Sequence, residues 1–292
     1  MAKRSDPTRP EPRDRGGGDD EPVRARLRRH LEFLGLTHTL ARLDAHLAWA
    51  SQERPAQSTL LERILGEEAG AKLEKRIERR IALSGLREHK SLESFDWFFQ
   101  PKLDKSFVLE LSSLDFVRRK EELVITGKSG TGKSHLLQAL ALRACQQQMA
   151  VRYARAVDLL DDLYAGLADG SYSQRLKRWA AVELLLIDDV GLGQVKKRDD
   201  EPTAAHTLFN LIDLRHGRAS TAFTSNIKLS AWGRYLGDAT LAVAILDRLT
   251  MRAVRLDIDG PSYRQHLARE RAQQRGMPLP DDEARDDAQP HP

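Results

Sequence analysis

The string Gly127-Lys-Ser-Gly-Thr-Gly-Lys-Ser134 constrains this chain more than any other part of its sequence. It fits G-x-x-x-x-G-K-[ST] without a mismatch, and it stands between a short apolar run, Leu123 to Thr126, and a helical stretch. In that context the glycines let backbone N–H groups turn inward around a phosphate, and the helix adds the partial positive charge of its N-terminus. A glycine-rich turn that matched this motif by chance would not be expected to have a strand directly before it and a helix directly after it.

Each residue of this loop has an expected role toward ATP and its magnesium ion. Lys133 is expected to reach the β- and γ-phosphates, and the hydroxyl of Ser134 to ligate Mg²⁺. The backbone of the other residues is expected to enclose the phosphates. The predicted nucleotide-binding set is Gly127, Lys128, Ser129, Gly130, Thr131, Gly132, Lys133 and Ser134.

Short runs of branched residues alternate with helical stretches after the loop, and this alternation predicts an α/β fold. The expected architecture is the parallel sheet of a P-loop NTPase with helices on both faces. The very apolar run at 184–187 fits a central strand that is buried on both sides. The predicted strands are 123–126, 151–154, 183–188, 221–225 and 254–258.

The composition changes along the chain and predicts five segments. Residues 1–24 are rich in proline, glycine and charge, and we expect them to be disordered. The segment 25–90 has apolar residues at helical spacing, which predicts a small helical domain of about three helices. A connector at 91–120 leads into an ATPase domain at 121–275, and an acidic tail at 276–292 is expected to be disordered. Pro55 and Gly66 are expected to separate the helices of the helical domain.

Three polar residues at strand ends are candidates for the chemistry. Asp188 and Asp189 end the buried central run, at the sheet edge where ligands gather in open α/β sheets. Asp188 is expected to hold Mg²⁺ through water, and Asp189 to act as general base on the attacking water. Asn226 ends the next strand and is expected to sense the γ-phosphate. The alternative is that these side chains only stabilise turns.

Composition excludes several classes of protein. The 292 residues are 40% hydrophobic and 31% charged, and the sequence contains no apolar run of the roughly 18 residues that a membrane span needs. Cys145 is the only cysteine, so an internal disulfide and a Cys-based zinc cluster are excluded. The N-terminus lacks the apolar region of a secretory signal, so we expect a cytoplasmic location with no membrane partner.

Further motifs resemble the IstB/DnaC-like branch of AAA+ ATPases, and most closely the IstB-type transposition helpers. The likeness runs from about Leu31 to Arg264, and beyond the loop it is carried by a series of short stretches. These are ESFDW at 93–97, LSSLDFVRRKEELVITG at 111–127, LLLIDDVG at 184–191, TSNIKLSAWGRYLGD at 224–238 and AILDRLTMRAVRLDIDGPSYR at 244–264.

The resemblance implies further roles and partners. Asn226 would be the sensor 1 residue, Arg248 an arginine finger toward the nucleotide of a neighbouring copy, and Arg264 a sensor-2-like arginine in its own copy. The resemblance implies DNA-stimulated ATP hydrolysis, self-association driven by ATP, sequence-nonspecific binding of duplex DNA, and recruitment of a transposase. The helicase-loader relatives instead imply single-stranded DNA and a replicative helicase.

Two features depart from the pattern of AAA+ proteins at large. Asp189 stands where AAA+ proteins usually have Glu, and its shorter side chain is expected to slow hydrolysis without affecting nucleotide binding. Few residues follow Arg264, which agrees with the truncated lid of this branch.

Three basic clusters are candidates for contact with DNA phosphates, since such contacts supply most nonspecific affinity. The formal net charge is only +4, so the local clusters matter more than the total. For each cluster the alternative is an ordinary solvated surface, and the aromatic residues, Tyr153 among them, are expected to be core. The clusters are Lys72, Lys75, Arg76, Arg79 and Arg80; Arg175, Lys177 and Arg178; and Lys196, Lys197 and Arg198.

The sequence therefore favours an ATP-dependent transposition helper and leaves two alternatives. One is a helicase loader. The other is a P-loop kinase that acts on a small molecule, against which Asp189 and the arginine of LDRL argue, because they favour hydrolysis by water.

Overall fold

The computed structural model of the chain describes residues 20–192 and 204–274. These residues belong to two compact units that divide between Arg76 and Ile77, ahead of the predicted boundary at residue 90. The first helix begins inside the segment 1–24, whose remainder, residues 1–19, lies outside the described residues, as do the tail from 275 onward and the basic cluster at 196–198.

The first unit is helical, as its apolar spacing predicts. It contains α1 (Asp20–Phe33), α2 (Thr37–Glu53) and the first part of α3 (Gln57–Ser84). Pro55 lies between α2 and α3, which agrees with its predicted role as a breaker. Gly66 does not separate helices, because it lies inside α3. An isolated glycine destabilises a helix by only about 1 kcal/mol relative to alanine. The helical turns on either side of Gly66 are therefore enough to keep α3 continuous.

The second unit begins with two short helices and a sheet of parallel strands. After α4 (Lys105–Leu111) and α5 (Asp115–Arg118), the strands are β1 (Leu123–Gly127), β2 (Val151–Arg155), β3 (Leu184–Val190), β4 (Ser220–Ser225) and β5 (Val254–Ile258). Their order is β2-β3-β4-β1-β5, and every neighbouring pair is parallel. Each of the five predicted strands is confirmed within two residues.

Helices cover both faces of this sheet, and alternate side chains of β3 explain why. Leu184 and Leu186 belong to one apolar core, while Leu185 and Ile187 belong to the other. A strand that is buried on both faces requires helices on both sides. They are α6 (Lys133–Gln146), α7 (Ala156–Ala168), α8 (Tyr172–Ala180), α9 (Ala204–Arg215), α10 (Trp232–Leu236) and α11 (Ala239–Thr250).

The parallel sheet agrees with the predicted P-loop fold. A single helix, α12 (Tyr263–Gln274), follows β5 within the described part of the chain. The pairing of β3 with β4 is regular from Leu184 to Ile187 and then shifts before Val190. This irregularity falls at Asp188 and Asp189, so the backbone at the carboxyl end of β3 leaves the regular ladder where the candidate catalytic residues lie.

Across the described ranges, no helix combines the length and the hydrophobicity that crossing a bilayer requires.

Candidate nucleotide-binding site

The glycine-rich loop connects β1 to α6 in the form that its sequence predicts. Gly132 has φ 99° and precedes the first residue of α6. A Cβ on Gly132 would lie 2.7 Å from Cε2 of Phe95, so only glycine fits there. The loop residues from Ser129 to Ser134 line a cavity of about 290 Å³, whereas Gly127 and Lys128 do not line it.

Lys133 is held inside the loop by two backbone carbonyls. Its Nζ donates to the carbonyl oxygens of Gly127 at 2.8 Å and of Lys128 at 2.7 Å. Burial lowers the pKa of Lys133 to about 8, although the carboxylates of Asp189 and Asp188 oppose that shift. Gly127 and Lys128 thus position the ammonium group that was predicted to reach the phosphates. A bound phosphate would stabilise the charged form of Lys133, which burial destabilises.

Asp188 is the centre of a buried hydrogen-bond network. Its Oδ1 accepts hydrogen bonds from Ser134 Oγ at 3.0 Å, from the backbone N–H of Asp189 at 3.0 Å, and from Thr224 Oγ1. Its Oδ2 accepts from the hydroxyl of Tyr153 at 2.6 Å. With donors on both oxygens, the carboxylate is fixed in position.

Asp189 and Asn226 face the same cavity and are hydrogen-bonded to each other. Asn226 Nδ2 donates to Asp189 Oδ1 at 3.2 Å, and both residues line the cavity. Asp189 has φ 58°, a left-handed conformation that Asp and Asn adopt more readily than other residues with a side chain. Its backbone N–H donates to Thr224 Oγ1 at 2.9 Å, which stabilises this turn. The structure thus brings the predicted base and the predicted sensor together.

The far end of the cavity is built from the connector, which sequence reasoning treated only as a link. His135 follows Ser134 on α6, and its Nε2 lies 2.8 Å from the carbonyl oxygen of Ser91. Phe95 packs edge-on against the His135 ring, with centroids 5.2 Å apart, and closes over Gly132. Besides the loop, the lining residues are Glu88, Lys90, Ser94, Phe95, Asp96, Phe99, His135, Gln138, Asp189, Asn226, Tyr263 and Arg264.

The two predicted arginines lie in different places. Arg264, at the start of α12, lines the cavity, as a residue acting within its own copy must. Arg248, on α11, is not among the lining residues. Its Nε pairs with Asp213 Oδ1 at 3.1 Å, and its guanidinium lies 4.6 Å from the ring centroid of Phe209. The pair therefore separates into one arginine inside the cavity and one outside it.

The basic clusters differ in how much of their charge is available. In the second cluster, Arg175 pairs with Asp162 at 2.6 Å and Asp169 at 2.8 Å, and Arg178 pairs with Asp162 at 3.0 Å. These ion pairs neutralise the charge that a DNA phosphate would need, which argues against this cluster as a DNA contact.

The first cluster is more exposed to solvent. It lies along α3, where Lys72 pairs with Glu68 at 3.5 Å and most of the other basic side chains are exposed. The third cluster, at 196–198, lies outside the described residues.

Sequence reasoning missed Tyr153 and Thr224 as members of the site. Tyr153 is buried core, as predicted, but its hydroxyl also donates to Asp188. Burial raises the pKa of Tyr153, and the nearby Asp188 carboxylate raises it further, so the hydroxyl stays protonated and remains a donor. One available indication was the phenolic hydroxyl of Tyr153 within the predicted strand at 151–154, but its partner depends on β2 lying beside β3.

Comparison with known proteins agrees with this geometry. A family model described as IstB-like ATP binding protein matches residues 29–271. A protein named for ATP binding in insertion sequence IS5376 of Geobacillus stearothermophilus is 31% identical over 242 residues, which are 83% of this chain and 94% of that protein. A protein named for ATP binding in insertion sequence IS21 of Pseudomonas aeruginosa is 30% identical over 234 residues, 80% of this chain and 86% of its own length.

Among solved structures, the AMPPCP-bound DnaA of Aquifex aeolicus is similar to 65% of this chain and 57% of its own chain. The two are 21% identical, with a TM-score of 0.48.

Proposed function

This chain belongs to the family of IstB-like ATP binding proteins, and we propose that it hydrolyses ATP while assembled on DNA, where it assists a transposase. The relatives named above are encoded in insertion sequences, which supports a transposition partner over a replicative helicase. A cytoplasmic location is part of the same proposal.

The observation that most supports ATP hydrolysis is the Asn226–Asp189 hydrogen bond, in the cavity that the phosphate loop also lines. Asp189 Oδ1 already accepts from Asn226, which orients the carboxylate and leaves its Oδ2 to accept a proton from an attacking water. Asn226 is then placed to contact both that water and the γ-phosphate. Within the described chain, Lys133 and Arg264 are the cations among the cavity-lining residues of the loop and α12, and both would stabilise the charge on the phosphates.

The residues present fit a magnesium ion. Ser134 and Asp188 offer hard oxygen ligands, and the hydroxyl proton of Ser134 is directed to Asp188 Oδ1, which leaves the lone pairs of the hydroxyl oxygen for a metal. Ser134 would bind the ion directly and Asp188 through water. When bound, Mg²⁺ would neutralise phosphate charge as ATP is cleaved.

Assembly is supported by the position of Arg248. Arg248 pairs with Asp213 and is not among the residues that line the cavity, as expected of an arginine that acts on the nucleotide of a neighbouring copy. Two apolar side chains near Arg248, Val243 in α11 and Met251 at the C-cap of that helix, are 67% and 69% exposed. Exposed apolar surface beside a functional arginine is typical of a protein–protein contact. We propose that this surface meets the nucleotide cavity of a second copy.

DNA binding is supported by the basic residues of α3, and no described element offers a base-reading motif. Phosphate contacts of this kind bind without sequence preference and weaken steeply with salt.

The test combines turnover and assembly. Purified protein should release phosphate from ATP faster with duplex DNA than without it. Light scattering with ATP and duplex DNA together should show multimers larger than with either alone. A monomer under those conditions would contradict the assembly proposal.

The helicase-loader alternative predicts the opposite DNA preference. Faster turnover with single strands, together with capture of a replicative helicase, would favour it. Absence of phosphate release until a small-molecule acceptor is added would instead indicate a kinase.

A further inference from the structure

We propose that Gln100 is a positioning residue, which holds the loop 259–262 against the phosphate loop and so keeps Arg264 in the nucleotide cavity. Gln100 lies in the connector, and its Nε2 donates to the carbonyl oxygen of Pro261 at 3.0 Å, between positions 161 residues apart in the sequence. Gln100 is only 3% exposed, and a polar side chain is rarely buried without a specific partner. This inference rests on the proposed function, since it requires ATP on the loop at 127–134.

The amide of Gln100 has one orientation that suits its surroundings. A carbonyl oxygen only accepts hydrogen bonds, so the NH₂ side of the amide must face Pro261. The other side packs on Gly260, where a Cβ would overlap Oε1 of Gln100. Gly260 is not among the glycines with positive φ, so the space that the amide needs, and not the backbone conformation, requires glycine there.

The other end of the loop 259–262 is anchored on the phosphate loop itself. The backbone N–H of Tyr263 donates to the carbonyl oxygen of Gly130 at 2.9 Å. Ser262 lies so close to Gly130 that a Cβ on this glycine would overlap its Oγ. Gln100 and Gly130 thus hold this loop from two sides, and Arg264 is the residue that follows Tyr263 on α12.

Neighbours of Gln100 in the connector contact the same region. The ring of Phe99 packs edge-on against Tyr263, with centroids 5.0 Å apart, and lies equally close to His266. Lys102 Nζ pairs with Asp259 at 3.0 Å, but both side chains are exposed, so this pair contributes little. Gln100 supplies the buried hydrogen bond of this contact, and its loss should free the loop 259–262 most.

Arg264 is the residue through which this positioning acts on the nucleotide, because it lines the cavity. Burial lowers the pKa of Lys133, and the nearby Arg264 guanidinium lowers it further, so the two cations lie within electrostatic range of each other. Bound phosphates would offset this repulsion and favour both charges. Once the loop 259–262 loses its anchor, Arg264 is no longer held in place, and ATP loses a charge-assisted contact.

The experiment is a double-mutant cycle in which calorimetric titration measures the affinity for AMPPCP, a non-hydrolysable analogue of ATP, with Mg²⁺. Gln100→Met keeps the length of the side chain and leaves the carbonyl of Pro261 unpaired, so affinity should fall about tenfold. Arg264→Ala alone should also weaken binding about tenfold. In the Arg264→Ala background, Gln100→Met should lower affinity by less than about twofold, because the residue through which Gln100 acts is gone. A merely structural role would lower affinity by the same factor in both backgrounds.

Two further variants make the result specific. Gln265→Met makes the same change at an exposed position of α12, next to Arg264, and should keep the wild-type affinity. Gly260→Ala leaves Gln100 in the chain but displaces its amide. It should weaken binding as Gln100→Met does, and the two changes together should weaken it no further. If Gln100→Met does not fold, as judged by circular dichroism, Gly260→Ala with and without Arg264→Ala completes the same cycle.

The outcomes separate this inference from the function on which it rests. Unchanged affinity in a folded Gln100→Met variant, or an equal loss with and without Arg264, would overturn the role of Gln100 while leaving the nucleotide site intact. Unchanged affinity in Arg264→Ala would overturn it as well. Folded wild-type protein that does not bind AMPPCP would instead refute the nucleotide site itself.

Discussion

The proposed catalytic site has two halves, the residues around Asp188 and the arginine Arg248. They differ in how far a single copy of the chain holds their side chains in place. Around Asp188 the hydroxyls of Ser134, Tyr153 and Thr224 all donate to one carboxylate, and Asp189 is bonded to Asn226. Arg248 instead forms an ion pair with Asp213 and a cation–π contact with Phe209, and it does not line the cavity. The preorganised half is suited to bind nucleotide in a single copy. Under the proposed function, the separate half would make turnover depend on a second copy, so nucleotide binding and hydrolysis should be separable by mutation.

The largest effect is expected at the phosphate loop. Lys133→Ala removes the ammonium group that is expected to pair with the β- and γ-phosphates, and each charge-assisted hydrogen bond contributes about 1.5–3 kcal/mol. ATP affinity should fall by about 100-fold or more, as measured by titration with a fluorescent ATP analogue. Lys177→Ala, which removes an exposed cation on α8, serves as the control and should leave affinity unchanged. Normal affinity in Lys133→Ala would refute the assignment of the loop.

Asp189→Asn should separate binding from turnover within the prepared half. Asparagine tolerates the left-handed backbone at this position, and its carbonyl can still accept from Asn226, but it cannot take a proton. ATP affinity should stay within a few-fold, while the rate of phosphate release should fall about 10²–10⁴-fold. Turnover at the wild-type rate would exclude Asp189 as the base.

Tyr153→Phe tests whether the network around Asp188 supports the metal. Losing the hydroxyl leaves Asp188 Oδ2 without its donor, and outer-sphere partners of metal sites typically affect metal affinity 10–100-fold. The Mg²⁺ concentration for half-maximal turnover should rise by about that factor. Tyr172→Phe removes a hydroxyl that contacts Asn210 on the surface of another helix and should not change it. An unchanged Mg²⁺ requirement in Tyr153→Phe would limit Tyr153 to packing.

The smallest expected effect is a pH dependence of ATP binding. In the free chain Lys133 has a pKa of about 8, lowered by burial, and bound phosphate stabilises its charged form. Above pH 8 the free ammonium loses its proton, so binding must take one up, and affinity should fall by at most about tenfold per pH unit. Titrations between pH 7 and 9.5 measure this slope. Lys133→Arg keeps its charge over that range and should show a flat profile.

Local sequence patterns predicted most of the fold and the phosphate end of the site. The loop at 127–134 and the strand before it are contiguous, so their pattern specifies their structure directly. Asp188 and Asp189 lie at the carboxyl end of β3 and Asn226 directly follows β4, and parallel strands bring their carboxyl ends to one edge. These features were predictable because they depend on neighbours in sequence or on the topology of the sheet.

Other features depend on packing between distant segments and could not be predicted in this way. Phe95 reaches the loop because the connector folds back over Gly132, and nothing in its local spacing indicates this. Tyr153 meets Asp188 because β2 lies beside β3. Gly66 was interpreted from its residue type alone, whereas the stability of the long helix α3 decides its conformation.

The most direct test of the account is a mixing experiment with two inactive variants. Arg248→Ala should bind ATP normally but hydrolyse it on the order of 10³-fold more slowly, as expected for loss of an arginine finger. Lys133→Ala retains Arg248 but is expected to bind ATP too weakly to hydrolyse it. Mixed in the presence of ATP and duplex DNA, the two should recover phosphate release, because a Lys133→Ala copy supplies Arg248 to the ATP held by its neighbour. If the mixture stays as inactive as its components, although the two variants co-assemble, Arg248 does not act in a neighbouring copy and the account is contradicted.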